Sequence, residues 1–248
     1  MTMKCTSSRV KTCVACCCTA GALAFSTPAI AGPKPKNPIL VELFTSQNCP
    51  ACPAANEKLI ELSKSDTIFP LTWSVSYWDY LGEKDPFAQP EFNKRQRKYA
   101  DHFNLRAPFT PQAVVDGCVQ TSGRVSFEAV KEKIDHAMTP HGYTVNFSVK
   151  SDSLHLSRKD KLPSVDVLLV GYLPGITAVV PGKGANKNKM MSHVNMVTSV
   201  TELGTWAGES DKEIEFTCRD EACVVILQET VSRDIMGFGK VPAVLPEG

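Results

Sequence analysis

The sequence predicts an α/β fold in its first half and a β-rich second half. Three observations predict this. An almost continuous apolar run at 39–44 is followed, after a short polar stretch, by apolar residues at helical spacing. The strand–helix alternation then repeats once and gives way to a hairpin signal, Asp116-Gly117. Beyond about residue 140 the apolar runs are short, separated by turn residues, and lack a helical period.

Each element follows from its own pattern. The run 39–44 is apolar enough for a buried parallel strand, interrupted only by Glu42. Ala55, Leu59 and Leu62 then fall on one helical face. Pro50 and Pro53 are tolerated at that helix's start, where the first N–H groups lack intrahelical partners. A second strand is predicted over 71–77, and a charged helix over 91–103 with Phe92, Gln96, Tyr99 and Phe103 inward. Residues 112–116 and 118–121 read as the two arms of the hairpin. Ser126 then caps a helix carrying Phe127, Val130, Ile134 and Met138. A βαβ unit followed by an antiparallel ββα unit is the thioredoxin plan, here over residues 35–140. Strands over 143–149, 165–172, 193–200, 214–218 and 224–228 suggest a small β-sandwich-like module over 141–248.

Residues 1–31 read as a signal peptide. Lys4, Arg9 and Lys11 form a basic start, 12–25 are small or apolar, and Ala29-Ile30-Ala31 fits a cleavage site. The apolar run is short for a membrane span, although a retained anchor is the alternative. The protein is therefore expected to be exported, periplasmic or secreted, with no stable membrane anchor after cleavage. Loss of 1–31 leaves 24 basic and 26 acidic residues, so no global field attracts nucleic acid. It also leaves Cys49, Cys52, Cys118, Cys218 and Cys223, an odd number, in an oxidising compartment.

The chemistry centres on Cys49 and Cys52. Two cysteines three positions apart at a helix start can close a small disulfide ring. The positive end of the helix dipole favours the thiolate of the first. Cys49 is expected to be exposed and to attack or be attacked; Cys52, one turn inward, would resolve the mixed disulfide. A permanent staple, or half of a zinc site, are the alternatives. Pro111 is expected against this pair, cis by its topological position although trans is the commoner state. Glu42, an acid in an apolar strand, is either a proton acceptor for Cys52 or half of a salt bridge. Tyr77, Trp78, Asp79 and Tyr80, with Thr110, would wall a substrate groove beyond the strand ends; packing against the next helix is the alternative for Trp78.

Other signals are weaker. Cys218 and Cys223 flank an acidic turn and are expected to form a structural disulfide. Cys118 is the odd thiol, either buried or a third redox partner. Gly182-Lys183-Gly184 lacks the helix of a phosphate loop and reads as a mobile basic loop. The five histidines show no ligand spacing, and no cofactor or metal is expected.

Several stretches together resemble a known family. They are 41–47, Cys49, Cys52-Pro53, 77–82, 84–88, 95–99, Thr110-Pro111-Gln112 and Val115-Asp116-Gly117. In the second half, Gly182-Lys183-Gly184 with Asn186, and Leu203-Gly204 with Trp206, are similar too. The chain resembles secreted, mostly bacterial thioredoxin-like proteins catalogued only as a domain of unknown function. The resemblance implies the fold and export, and supplies no substrate. Asn48 stands where that family usually has Gly, Ala54 where it has Pro, and Cys118 where it more often has a basic residue.

Function is accordingly expected to be thiol–disulfide exchange with protein or small-molecule thiols and disulfides. Copper delivery through the two thiolates, or a non-catalytic interaction role with a structural disulfide, are the rivals.

Overall fold

The computed structural model describes residues 38–122, 132, 145–159 and 161–243. The expected leader over 1–31 and the expected helix from Ser126 to beyond Ile134 lie outside the described residues, Glu132 apart. The first half contains β1 (Ile39–Thr45), α1 (Cys52–Leu62), β2 (Ile68–Ser74), a 3-10 turn (Asp79–Leu81), α2 (Pro90–His102), β3 (Gln112–Val115) and β4 (Val119–Ser122). The second half contains β5 (Phe147–Val149), β6 (Ser153–Leu156), β7 (Val165–Val179), β8 (Met191–Trp206), β9 (Lys212–Glu215), β10 (Ala222–Glu229) and β11 (Ile235–Lys240).

Parallel pairing of β1 with β2 aligns Ile39 with Ile68 and Thr45 with Ser74. This register sets β2 three residues earlier than the expected 71–77. β3 runs antiparallel to β1, and β4 antiparallel to β3, around the Asp116-Gly117 turn. The turn is locked from outside: Leu40 N–H donates to Asp116 Oδ1 at 3.0 Å, and Ile235 N–H donates to the Asp116 carbonyl at 2.8 Å.

The sheet does not stop at residue 140, where the sequence suggests a boundary. One eight-stranded sheet runs β11-β10-β7-β8-β2-β1-β3-β4. Its halves are joined where β8 lies parallel to β2 at Thr72 and Met196. Pro70 has no N–H to offer this ladder, so side chains complete the seam. Asn195 donates to the Pro70 carbonyl at 3.0 Å, and Thr72 Oγ1 donates to the Val194 carbonyl at 2.6 Å. A second sheet, β5-β6-β9, packs on the large one. The second half thus does contain two stacked sheets, but its larger one continues the first half's.

Strand parity sorts the core. Leu40 and Phe44 of β1 join Trp73, Phe92, Tyr99, Leu168, Val170, Val224 and Ile226 beneath α2, a cluster spanning both halves. Ile39, Val41 and Leu43 face the other way, against Ala55, Leu59 and Leu62 of α1. On that same side Val165, Val167, Leu169, Val225 and Leu227 pack against Leu154, Leu156 and Ile214 of the small sheet. The protein is a mixed α/β body, mostly sheet, with few helices. Among the described residues no helix is long and apolar enough to cross a membrane.

Candidate functional site

β1 delivers the chain to its carboxyl end, where 46–51 turn back into α1. Cys49 N–H donates to the Ser46 carbonyl at 3.1 Å, and Cys52 N–H to the Cys49 carbonyl at 3.2 Å. These turns bring the two cysteines together as a disulfide, Cα to Cα 5.4 Å. Cys52 is the first residue of α1 and Pro53 the second. Proline needs no hydrogen-bond acceptor there, so the motif starts the helix without cost.

Cys49 is not exposed, contrary to the expectation from its position. Its residual accessibility is 1%, and that of Cys52 is 0%. The cover comes from the second half of the chain. Met191 of β8 packs directly on the pair, with Val179 of β7, Trp78 and Ala51 around it. Beyond their last shared sheet contacts, β7 and β8 run on as a two-stranded arm, pairing Val179 with Met191. A helix start alone cannot reveal Met191 and Val179 in this cover, because both lie more than 120 residues away in sequence.

The loop joining β7 to β8, residues 180–190, closes the site. Asn186 Nδ2 donates to the Gln47 carbonyl at 2.9 Å and to the Cys49 carbonyl at 2.9 Å. Gly182 N–H donates to Glu83 Oε1 at 2.6 Å. Gly82 and Gly184 crowd the Asn48 amide: a Cβ on Gly82 would stand 2.0 Å from Asn48 Oδ1, and one on Gly184 2.7 Å. Gly184 also has φ +82°, so side chains are excluded there twice over. Asn48 Nδ2 donates to the Glu83 carbonyl at 2.8 Å, while Gln47 Nε2 donates to the Lys84 carbonyl at 2.9 Å. The 182–184 stretch is expected from the sequence to be a mobile basic loop. The loop is instead pinned, at Gly182 to Glu83 and at Asn186 to the turn that carries the cysteines.

Asp85 supports the same loop from below. Its carboxylate accepts from Gln47 N–H at 3.1 Å and Phe87 N–H at 3.1 Å. Burial raises its pKa above the usual carboxylate range, and these two donors only partly offset that. Sequence reasoning placed no role on Asn186, Glu83 or Asp85, although all three lie in or beside the motif stretches.

Thr110-Pro111 is a cis peptide, and Pro111 is buried. It immediately precedes β3, whose Gln112 pairs with Phe44, so it lies at the same end of β1 as the cysteine loop. Tyr77, Trp78 and Thr110 are half-buried. The Tyr77 hydroxyl lies among the side chains of Gln96, Thr110 and Trp78, and burial pushes its pKa up to about 12. Trp78 reaches the disulfide. Asp79 Oδ1 accepts from Asp85 N–H at 3.2 Å, and Tyr80 projects into solvent. So of these five side chains Trp78 is the one that packs on the disulfide, Tyr77 packs against the core cluster beneath α2, and Tyr80 points away. Trp78 therefore packs on the disulfide rather than walling an open groove. A cleft of about 510 Å³ opens elsewhere, on the α2 face, lined by Lys98, Asp166, Glu202, Gln228 and Arg233 among others.

Glu42 does not face the cysteines. It shares strand parity with Leu40 and Phe44, and so points under α2, away from α1. There Arg95 grips it edge-on: Nε to Oε1 2.7 Å and Nη2 to Oε2 2.9 Å. Tyr99 donates to Oε2 at 2.5 Å, and Arg95 Nη1 to Gln228 Oε1 at 3.2 Å. Burial, the largest single influence, disfavours the guanidinium, but the charge and hydrogen bond of Glu42 together with Tyr99 and Glu202 outweigh it and hold the Arg95 pKa above its ordinary value. Of the two readings of Glu42, the ion pair describes this geometry; proton transfer to Cys52 does not.

Cys218 and Cys223 form a second disulfide, Cα to Cα 5.9 Å, at the start of β10. Asp220 in its turn accepts from Thr198 Oγ1 at 2.6 Å and Ser199 Oγ at 2.7 Å, tying it to β8. Cys118 is half-buried, outside both disulfides, and packs at the edge of the α1 cluster. His193 is buried, and that burial pulls its pKa down to about 4, keeping the ring neutral. Among the described residues no three His, Cys, Asp or Glu side chains cluster to hold a metal ion.

This fold and site define a class: a mixed α/β protein whose Cys-x-x-Cys disulfide is sealed by an arm of its own sheet. The chain belongs to the protein family of unknown function DUF1223, whose family model matches residues 40–228. Among solved structures it is similar to protein AGR_C_4864 from Agrobacterium tumefaciens, at 25% identity and TM-score 0.67. That match covers 85% of this chain and 97% of the other. HBP35 of Porphyromonas gingivalis matches at 16% identity and TM-score 0.48, covering 83% of this chain and 74% of that one. No curated protein matches the chain.

Proposed function

We propose that this is an exported thioredoxin-like thiol–disulfide oxidoreductase working through Cys49 and Cys52. One observation carries the reading: a Cys-x-x-Cys disulfide at the first turn of α1 shares its end of the sheet with a cis Thr110–Pro111 peptide. The order β2-β1-β3-β4, with β2 parallel to β1 and the hairpin antiparallel to it, supports the thioredoxin-like assignment. Export agrees with the leader pattern over 1–31 and with two disulfides in the described chain.

In the reduced protein, the Cys49 thiolate attacks a partner disulfide. A mixed disulfide forms and one partner thiolate leaves. The Cys52 thiolate then attacks the Cys49 sulfur, closing the intramolecular disulfide and releasing the second partner thiol. One electron pair has passed to the partner; the reverse sequence oxidises it. Protein disulfides and small thiols are the partners this chemistry takes. The buried disulfide must be uncovered before either direction can proceed.

The test is insulin reduction, or refolding of scrambled ribonuclease, by the mature chain. Activity is expected and should vanish in Cys49→Ser; activity that survives this change removes the assigned roles.

Burial favours a second reading, a structural staple beneath an interaction surface. Its signature is a reduction potential below about −300 mV, as for disulfides that resist a glutathione pool.

A further inference from the structure

We propose that Asn186 is the latch that keeps the Cys49–Cys52 disulfide closed to thiols, and that its release governs the rate at which the disulfide is exchanged. The proposal deepens the oxidoreductase reading and rests on it for its biological meaning, but the latch itself is testable without that reading.

The geometry singles out this side chain. Of the described residues from 182 to 190, Asn186 is the one that is buried; Gly184 is half-buried and the others are exposed. The loop therefore has little apolar burial to hold it down, and the segments that open most readily are those with few buried contacts. Its fixings are mostly polar. Within the loop, Asn188 N–H donates to the Pro181 carbonyl at 2.8 Å, Lys187 N–H to the Gly184 carbonyl at 3.2 Å and Lys189 N–H to the Asn186 carbonyl at 3.0 Å. These shape the loop but do not attach it. Attachment to the cysteine loop comes through both hydrogens of the Asn186 amide, on Gln47 and Cys49 carbonyls, while Gly182 N–H ties the loop to Glu83 beside it. The Gln47 and Cys49 carbonyls belong to the turn that presents the disulfide. Met191, which lies on the sulfurs, begins the strand directly after this loop. A loop that lifts at Asn186 can thus carry Met191 off the disulfide, while a loop held at Asn186 keeps it in place. Asn186 is a positioning residue: it touches backbone beside the sulfurs and acts through Met191 and Cys49.

The experiment is reduction of the full mature chain by dithiothreitol, with thiols trapped and each disulfide followed by peptide mapping. In this step the dithiol is oxidised to its cyclic disulfide, and two electrons and two protons convert Cys49–Cys52 to two thiols. Asn186→Ala should speed reduction of Cys49–Cys52 by about tenfold or more, the effect of two lost hydrogen bonds of ordinary strength. The Cys218–Cys223 rate should not change, which separates latch release from general loosening. Asn186→Asp keeps the shape but, when ionised, loses both donors. It should be as fast as Asn186→Ala at pH 8, with part of the protection returning as the carboxyl is protonated. Rates for Asn186→Ala and Asn186→Asp that match the parent overturn the proposal, as does equal acceleration of both disulfides. If either variant fails to fold, amide exchange on the parent protein decides. Residues 182–190 should exchange faster than 196–201 and at least as fast as Cys49–Cys52 is reduced; slower exchange overturns the latch. A parent without insulin reductase activity would remove the oxidoreductase reading and leave these rates to judge the latch.

Discussion

Glu42 and Arg95 meet in two parallel hydrogen bonds, 2.7 and 2.9 Å, beneath α2 and on the opposite face of β1 from the α1 helix that carries Cys52. The Arg95 guanidinium lies 5.1 Å from the Trp73 ring centre and 5.2 Å from that of Tyr99, and Gln228 of β10 completes the set. The pair therefore links β1 to a strand from the second half of the chain. Removing one member leaves the other charge buried and unpaired. Glu42→Gln should cost about 3–5 kcal/mol in urea unfolding. It should leave the dithiothreitol rate of Cys49–Cys52 within about twofold of the parent at low denaturant, because the carboxylate is not near the sulfurs. A large change in that rate with stability preserved would return Glu42 to the surroundings of Cys49 and Cys52.

Asp116 gives a pH dependence whose sign is fixed. Burial raises its carboxyl to about 7, with Asp234 and Glu42 adding in the same direction and the Leu40 N–H opposing. An unfolded aspartate loses its proton near pH 4. Between those values the folded chain binds more protons than the unfolded chain, so this group makes stability fall as pH rises from about 4 to 7. Asp116→Asn keeps an acceptor for Leu40 and removes the charge. Its melting temperature should exceed the parent's at pH 8 and match it near pH 4. An unchanged difference across that range would show that Asp116 is not held protonated.

The Cys218–Cys223 bridge closes a short loop whose turn is already anchored by Asp220 on Thr198 and Ser199. Loop-closure entropy for so short a ring amounts to about 2 kcal/mol. Replacing both cysteines by alanine should lower unfolding free energy by about that amount and leave insulin reduction unaffected. Loss of activity at unchanged fold would assign this second disulfide to the reaction.

Lys183, Lys187 and Lys189 project from the loop over the disulfide and are exposed. An incoming thiol meets this charge before it meets sulfur. Corrected for thiolate fraction, mercaptoethanesulfonate should reduce Cys49–Cys52 about threefold faster than cysteamine at low salt. The gap should close at about 0.5 M salt, where the screening length is only a few ångströms. Equal rates for both thiols at low salt would exclude steering by the loop.

Local patterns made the first half legible. Apolar periodicity, prolines at a helix start and the Asp116-Gly117 turn all act over a few residues, so β1, α1, α2 and the β3–β4 hairpin follow from the chain read in order. The orientation of Glu42 was only half legible: parity groups it with Leu40 and Phe44, but both faces of β1 are apolar, and only the packing of α1 and α2 decides which one faces the cysteines. What stayed hidden depends on distant pairing. Nothing local to Thr72 or Met196 announces that β2 and β8 will adjoin, and Pro70 argues against a partner there. β11 carries no clear strand pattern, because Gly237 and Gly239 interrupt it. Burial of Cys49 depends on Met191 and Val179, and the motif around the cysteines has no knowledge of either.

The sharing of β8 has a consequence for how this protein can be divided. One strand serves as neighbour to β2 at its middle, as partner to β7 along its length and, at its first residue, as a shutter for the sulfurs. A fragment ending near residue 140 would bare the flank of β2 and strip the apolar underside of α2, inviting chains to stick to one another. The Cys-x-x-Cys motif and its cover therefore form one folding unit, and neither half can be cut away without the other.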